Sequence, residues 1–366
     1  MITLILFILI LSVLVAVHEA GHLILAKWVG ARVKEYAIGF PPRIFSRKFG
    51  GTEYSLNLTP LGGYVNIAGE EGIDDEDEKD IPLSEKLSSK HPFKKILVLV
   101  AGVSANVVLA WVLISITLMA GSFEPVPASG PLPANAKVVI LGVSQDSPAL
   151  NAGLKPNDEV VKASAGDSVV NAKTADELVS FLSANQDRKI TLNVLRNGEI
   201  VEIKNIQAVS GIVEGKKALG IAVDTVVKNR YSLFPAFYKG IGVTASTVKF
   251  IGVSAGHAIW NVIQGKGGFS EVAGPVGIGK IIGEARSLGW VSVVTFAAFL
   301  SINLAIINIL PFPALDGGRV IFTIYEWIVG KPVPTKVSKI IHGAGFVILI
   351  LLMLVITAHD VFKLIK

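Results

Sequence analysis

Cysteine is absent from all 366 residues. No disulfide can staple the chain and no thiolate can hold a metal, so any metal centre must be built from His, Asp or Glu. Charge is scarce too: 17% of residues are Asp, Glu, Lys or Arg against 51% hydrophobic, and mean hydropathy is +0.58. Soluble domains carry charge on about a quarter of their residues, which excludes that class and leaves a membrane protein. The net charge of +5 comes with no basic cluster interleaved with aromatics, so nucleic acid is set aside and the excess is read as topological. A nucleotide loop is missing: Gly274-Pro275-Val276-Gly277-Ile278-Gly279 has neither the spacing nor the βα context. No internal repeat is found, which argues against a transporter with a broken-helix ion site.

What the chain does contain is long apolar runs. Four spans are expected, within segments 1–28, 94–121, 290–318 and 340–360. The first lacks a basic leader and outlasts a signal-peptide core, so it is expected to be retained. Lys27, Arg32, Lys34, Lys90, Lys94 and Lys95 flank the 29–93 loop, and Arg319, Lys331, Lys336 and Lys339 lie in or beside the 319–339 loop. Positive charge at membrane ends marks the cytoplasmic side, so both loops are expected there. The 29–93 loop should hold a membrane-associated β-hairpin turning at Gly62-Gly63, then a solvated acidic run from Glu70 to Asp80. Segment 210–289 is read as an extracytoplasmic amphipathic, interfacial stretch. His257 within it is an interfacial or packing histidine, since a lone His has no partners at metal spacing.

His18-Glu19-Ala20-Gly21-His22 closes the first apolar run. Residues four apart on a helix are separated by about 400° of rotation and about 6 Å of rise, so both imidazoles lean over one face and suit one zinc ion. Glu19 is placed to handle a zinc-bound water as general base without being a ligand. The third span ends in Asn308-Ile309-Leu310-Pro311-Phe312-Pro313-Ala314-Leu315-Asp316-Gly317-Gly318, where two prolines break the helix and set a carboxylate at the break. Both polar ends face the cytoplasmic loops, so His18, His22 and Asp316 can meet as three zinc ligands and leave a fourth position open for water. In the second span, Gly102, Ser104 and Ala105 read as close-packing residues. Asn106 must find a partner for its amide, either another helix or a substrate backbone.

After a linker at 122–134, residues 135–209 take on the texture of a small α+β domain. Thr174 with Glu177 reads as a helix start, and Asn197-Gly198 as a hairpin. Ser147-Pro148-Ala149, then Ala152-Gly153-Leu154-Lys155-Pro156-Asn157-Asp158, then Gly166, resemble a bacterial PDZ domain, expected to be extracytoplasmic. Asn157 stands where that pattern has glycine. The resemblance implies Val138–Val143 as the strand that would take a peptide, and peptide or ectodomain contact as the domain's task.

Taken together, His18 to His22, Gly62-Gly63-Tyr64, Gly102 to Asn106, the PDZ segment, Gly274 to Gly277 and Asn308 to Gly317 resemble the site-2 protease family of intramembrane zinc metalloproteases, in its bacterial PDZ-containing branch of sigma-factor regulators. The likeness covers essentially the whole chain. It implies a multi-pass protein of the bacterial inner membrane, with zinc on His18, His22 and Asp316, and Glu19 as the base. Asn106, Asn308 and Gly62-Gly63-Tyr64 are implied to hold substrate, the last as a strand beside it. It also implies single-pass transmembrane substrates, such as anti-sigma-factor-like proteins or signal-peptide remnants. The alternative is a non-proteolytic PDZ-bearing scaffold with a structural zinc. An intact Glu19 speaks against it, because a structural site has no use for an unliganded base.

Overall fold

The computed structural model describes residues 2–70, 78, 80–126, 131–144, 147–196, 198–213, 216–265 and 274–365. The chain forms two compact units, one of Met1–Thr117 with Leu233–Lys366, the other of Leu118–Ser232. In the first, α1 (Ile2–Trp28) is followed by β1 (Val33–Phe49), β2 (Thr52–Ile67) and α2 (Pro92–Ala120). The turn between β1 and β2 is at Gly50-Gly51, both with positive φ, and not at Gly62-Gly63, which lie inside β2. Gly62, at φ +119°, sits where β2 swings across β1, a backbone shape that needs glycine. Residues 33–38 thereby pair with 53–56 on one side and 63–67 on the other, while 43–49 pair with 52–57. Among the described residues, 63–67 have no strand on their outer side.

This sheet is tied to α1 by the Tyr36 hydroxyl, which donates to the Ala16 carbonyl at 2.8 Å. Burial, and then the Glu19 carboxylate, push the Tyr36 phenol up to about 12, so it stays a neutral donor. Leu23, Ala26, Val33, Ile67, Leu87 and Val98 join α1, the sheet and α2 in one apolar cluster. Of the acidic run, residues 71–77 and 79 lie outside the described residues. Glu78 is not solvated: it is 2% exposed, 2.7 Å from Lys34 Nζ and 3.8 Å from Lys86 Nζ, and accepts from the Gly69 N–H at 2.8 Å. Two cations and an amide offset the cost of burying that carboxylate.

The second unit contains β3 (Ser122–Pro125), β4 (Ala136–Val143), α3 (Pro148–Asn151), β5 (Glu159–Ala165), β6 (Ser168–Val170), α4 (Ala175–Ala184), β7 (Ile190–Arg196), β8 (Glu199–Ile206), β9 (Val209–Val213), β10 (Lys216–Ala218) and β11 (Ile221–Asn229). Its main sheet runs β3-β11-β4-β5-β7-β8, with β6 on β5. Ile140, Leu154, Leu178, Ile190 and Leu192 are fully buried between sheet and helices. Thr174 Oγ1 accepts from the Glu177 N–H, capping α4 as its position suggests. The unit is longer than the 135–209 stretch. β3 lies in the expected linker, and β11, alternating in Ile221, Val223 and Thr225, lies in the expected interfacial stretch. Val138–Val143 is paired along one side by β11, and on the other side β5 and the turn before it meet Val139 and Ile140. An open edge belongs to β11. β3 pairs only with Val226–Asn229, and no strand pairs the same side of Ile221–Asp224 among the described residues.

The first unit resumes with α5 (Leu233–Ile263), α6 (Pro275–Ser287), α7 (Trp290–Ile309), α8 (Asp316–Val329) and α9 (Thr335–Ile365). Four helical stretches among the described residues are long and apolar enough to cross a membrane: α1, α2, α7 and Lys336–Phe362 of α9. α5 is not among them. Gly274 to Gly277 form the N-terminus of α6, where the buried Asp360 accepts from the Gly277 N–H at 2.8 Å and satisfies one of the helix's free donors. α7 stops at Ile309, at the expected proline break, so segment 290–318 also takes in the first residues of α8. Pro311 and Pro313 cannot continue α7, and α8 fills most of the stretch expected to be a loop.

Asp158 anchors the second unit. Its side chain is 1% exposed, its two oxygens each take an Arg196 N–H at 2.7 Å, and one also takes the Lys155 N–H at 2.9 Å. Asp158→Ala should cost about 3 kcal/mol, because it strands the guanidinium and an amide. Urea-dependent proteolysis of the full-length protein in detergent reads this, and a loss below about 1 kcal/mol would rule out the anchor.

Candidate metal centre

His18 and His22 lie one turn apart on α1, each 6% exposed, with rings edge-on at 4.9 Å between centroids. Their Nε2 atoms are 3.2 Å apart. Asp316 Oδ2 lies 3.0 Å from His18 Nε2 and 3.3 Å from His22 Nε2. These three residues are the one cluster among the described residues able to hold a metal ion. A tetrahedral zinc with bonds of about 2.0–2.1 Å needs ligand atoms about 3.3 Å apart, so this triangle has zinc's size. Two imidazoles and a carboxylate are also a zinc hydrolase's donor set. His257, by contrast, is exposed on α5 and outside this cluster.

Glycines make the triangle possible. A Cβ on Gly102 of α2 would run into His22 Nε2 and lie 2.8 Å from His18 Nε2. At Gly21, a Cβ would strike the Ala101 carbonyl and lie 2.9 Å from the Ala105 Cβ, so α1 and α2 touch backbone to backbone here. With α2 this close, His22 Nδ1 donates to the Val98 carbonyl at 2.8 Å, which turns the Nε2 lone pair toward the other two ligand atoms.

Asp316 arrives from the opposite direction. After Pro311 and Pro313, Ala314 adopts φ +77°, and its N–H donates to His342 Nδ1 of α9 at 3.0 Å. Asp316 is then the first residue of α8, where a carboxylate faces the positive end of the helix. The next two residues, Gly317 and Gly318, lie directly on the carbonyls of Ile309, Leu310 and Phe312, leaving no room for a Cβ. Arg319, on the next turn, pairs with Glu70.

The other residues singled out from the sequence are placed as follows. Glu19, half-buried beside His18, makes no hydrogen bond or ion pair among the described residues. Asn106 is fully buried on α2, its Nδ2 3.3 Å from His18 Nδ1. Asn308 is half-buried in the last turn of α7 and is not part of the metal-ligand cluster. Gly62, Gly63 and Tyr64 belong to β2. Gly63 packs on Val15 of α1, and Tyr64 stacks on Phe40 at 6.4 Å. Sequence reasoning missed the Val98 carbonyl, His342 and Ser301, whose Oγ donates to the Asn106 backbone carbonyl at 2.8 Å. The first has no side-chain signal at all. The other two carried the hint that a polar group in an apolar helix needs a partner.

Gly102→Ala tests the cradle. Alanine at a helix interior normally stabilises by about 0.5–1 kcal/mol, yet here it should weaken zinc binding by about 10-fold or more in chelator competition. Unchanged zinc affinity would show that the close approach is not needed.

The chain is similar to known proteins along nearly its full length. The family described as Peptidase family M50 matches residues 6–352. A Clostridium perfringens protein is 33% identical over 96% of both chains. Zinc metalloprotease RasP of Oceanobacillus iheyensis is 30% identical over 100% of both chains, and regulator of sigma-W protease RasP of Bacillus subtilis is 28% identical over 99% of both. The zinc-sized triangle, two of its corners on an apolar helix, and the end-to-end likeness lead to one assignment: this chain belongs to Peptidase family M50, the site-2 proteases, and is a multi-pass, zinc-dependent membrane metalloprotease.

Proposed function

We propose that the chain hydrolyses peptide bonds inside the transmembrane segments of single-pass membrane proteins, with His18, His22 and Asp316 holding zinc. The observation that carries this is the meeting of those three side chains, two of them on a helix apolar enough to cross a membrane. Zinc, when bound there, supplies a Lewis acid for water and for the scissile carbonyl. Glu19 takes the proton of the attacking water and passes it to the amide nitrogen as the C–N bond breaks. Its carboxylate has no competing partner among the described residues, which suits a group that must receive and release a proton.

Substrate presentation follows from the backbone. A transmembrane helix hides its peptide bonds in its own hydrogen bonds, and unwinding it in an apolar medium strands them. The outer side of residues 63–67 offers replacement partners, and Gly63 sets that strand against Val15, one helical turn from Glu19. Phe40, Ile44, Phe45, Phe49 and Leu58 are exposed on the same sheet, as expected of a hairpin entering lipid. Gly62, Gly63, Tyr64 and Asn308 are accordingly assigned to substrate contact. The similarity to a protein named regulator of sigma-W protease supports substrates of the anti-sigma-factor kind, with signal-peptide remnants as the other candidate class.

Segment 135–209 with its β9–β11 extension is assigned as a PDZ domain on the extracytoplasmic side of a bacterial inner membrane, and the metal centre to the cytoplasmic side. The lysines and arginines around 29–93 and 319–339 support this orientation. The open edge of Ile221–Asp224 is the place for an extended peptide or ectodomain tail.

Two measurements test these assignments. Glu19→Gln should keep zinc and lose cleavage of a tagged single-pass substrate by about 10²–10⁴-fold; cleavage at the parent's rate sinks the protease reading. Because native cysteine is absent, Asp167→Cys gives one labelling site, expected to react with an impermeant maleimide added outside the cell. Labelling only after the cytoplasm is opened reverses the orientation.

A further inference from the structure

We infer that Asn106 is a positioning residue for the metal centre: its amide oxygen accepts a hydrogen bond from His18 Nδ1–H and so fixes the tautomer and ring plane of a zinc ligand. This rests on the reading that His18, His22 and Asp316 hold zinc. It assigns to Asn106 a task different from the substrate contact that family resemblance implies.

His18 Nε2 points at Asp316 Oδ2 and His22 Nε2, so Nε2 is its ligand atom. A ligating nitrogen must present a lone pair, which puts the imidazole proton on Nδ1 and requires an acceptor there. For His22 that acceptor is the Val98 carbonyl, a group that cannot donate. For His18 the atom facing Nδ1 is the Asn106 side-chain amide at 3.3 Å. With Nδ2 turned inward, two N–H groups oppose each other, while Oδ1 is buried with no hydrogen-bond partner. Amide oxygen and nitrogen are alike in shape, so a half-turn about the last torsion is sterically free. It brings Oδ1 onto His18 Nδ1–H and removes the clash of donors.

Burial argues the same way. Asn106 is 0% exposed, and its own carbonyl accepts from Ser301 Oγ of α7 at 2.8 Å. The residue is locked between α2, α7 and the His18 ring, on the side of the ring away from the other two ligands. A group that holds a substrate backbone needs to be reachable. Asn106 is one turn beyond Gly102, so a single face of α2 supplies both the space for the ligands and the acceptor that orients one of them.

Two near-isosteric variants of the full-length protein separate the roles. Asn106→Asp keeps the acceptor and loses the NH₂; Asn106→Leu loses both. Zinc affinity is read by chelator competition, and kcat and KM at saturating zinc on a single-pass substrate. Expected are a zinc Kd raised about 10–100-fold in Asn106→Leu, parent-like or tighter zinc binding in Asn106→Asp, and unchanged KM in both. Parent-like zinc affinity in Asn106→Leu overturns the inference, because His18 then needs no acceptor there; so does a raised KM with normal zinc binding in Asn106→Asp, because it requires the NH₂ to act on substrate. Should Asn106→Leu not fold, Asn106→Asp decides alone by the same two readouts. Failure of the protease reading looks different: the parent itself would hold no zinc, or Glu19→Gln would cleave normally.

Discussion

Three electron-rich atoms within 3.3 Å of one another, two of them on a helix made for hydrocarbon, set the terms for the rest of the molecule. Lone pairs that converge repel, and an apolar surrounding cannot screen them. The arrangement is tolerable only with a cation at its centre and with each outward-facing group tied to something. The ties are specific. Val98 takes the far side of His22, Asn106 the far side of His18, and the start of α8 receives Asp316. None of these partners can reach unless the helices approach to backbone contact, which is why Gly21, Gly102, Gly317 and Gly318 all face carbonyls or ligand rings. Side-chain chemistry at the centre thus dictates the absence of side chains around it.

The same shortage of hydrogen-bond partners governs the sheet. Strands near a membrane must pair or be covered, and residues 33–38 solve this by pairing on both sides with a single β2 that folds around them. One edge, at 63–67, is left over and lies against α1. In the proposed mechanism that unsatisfied edge is an asset, because an unwound substrate carries the matching need. Among the described residues, the second unit keeps an edge at Ile221–Asp224 with no strand paired to it.

Much of this could be read in the sequence. His18, His22 and Asp316 were legible because spacing, helix geometry and basic flanks are local signals, and the four long apolar runs announce themselves. Tertiary pairing was not. Gly62-Gly63 looks like a hairpin turn, yet Gly50-Gly51 makes the turn and Gly62 serves a crossover, a distinction only the register reveals. Val138–Val143 resembles an open strand in isolation and is covered along one side because β11 returns from 80 residues later to pair with it. Glu78 sits in a run of carboxylates that reads as solvated, and its burial depends on Lys34 and Lys86 from either side of the run. Val98 had no signal to find, since its contribution is a backbone carbonyl.

The third ligand explains why the apolar run that carries it has to break. A carboxylate in the middle of a continuous spanning helix would face neighbours whose backbone groups are already paired, with nothing to offset its charge. Ending α7 at Ile309 and restarting at Asp316 puts the carboxylate in the first turn of a helix, at the positive end of its dipole. Pro311 and Pro313 enforce the stop. The left-handed turn at Ala314 then has its N–H accepted by His342, and Gly317-Gly318 let the new helix begin flush against the old one's last carbonyls. Each of these residues removes a reason why Asp316 could not be where it is. The N-x-x-P-x-P-A-L-D-G-G stretch is therefore less a binding motif than a way of bringing one negative charge to two histidines from a helix that would otherwise exclude it.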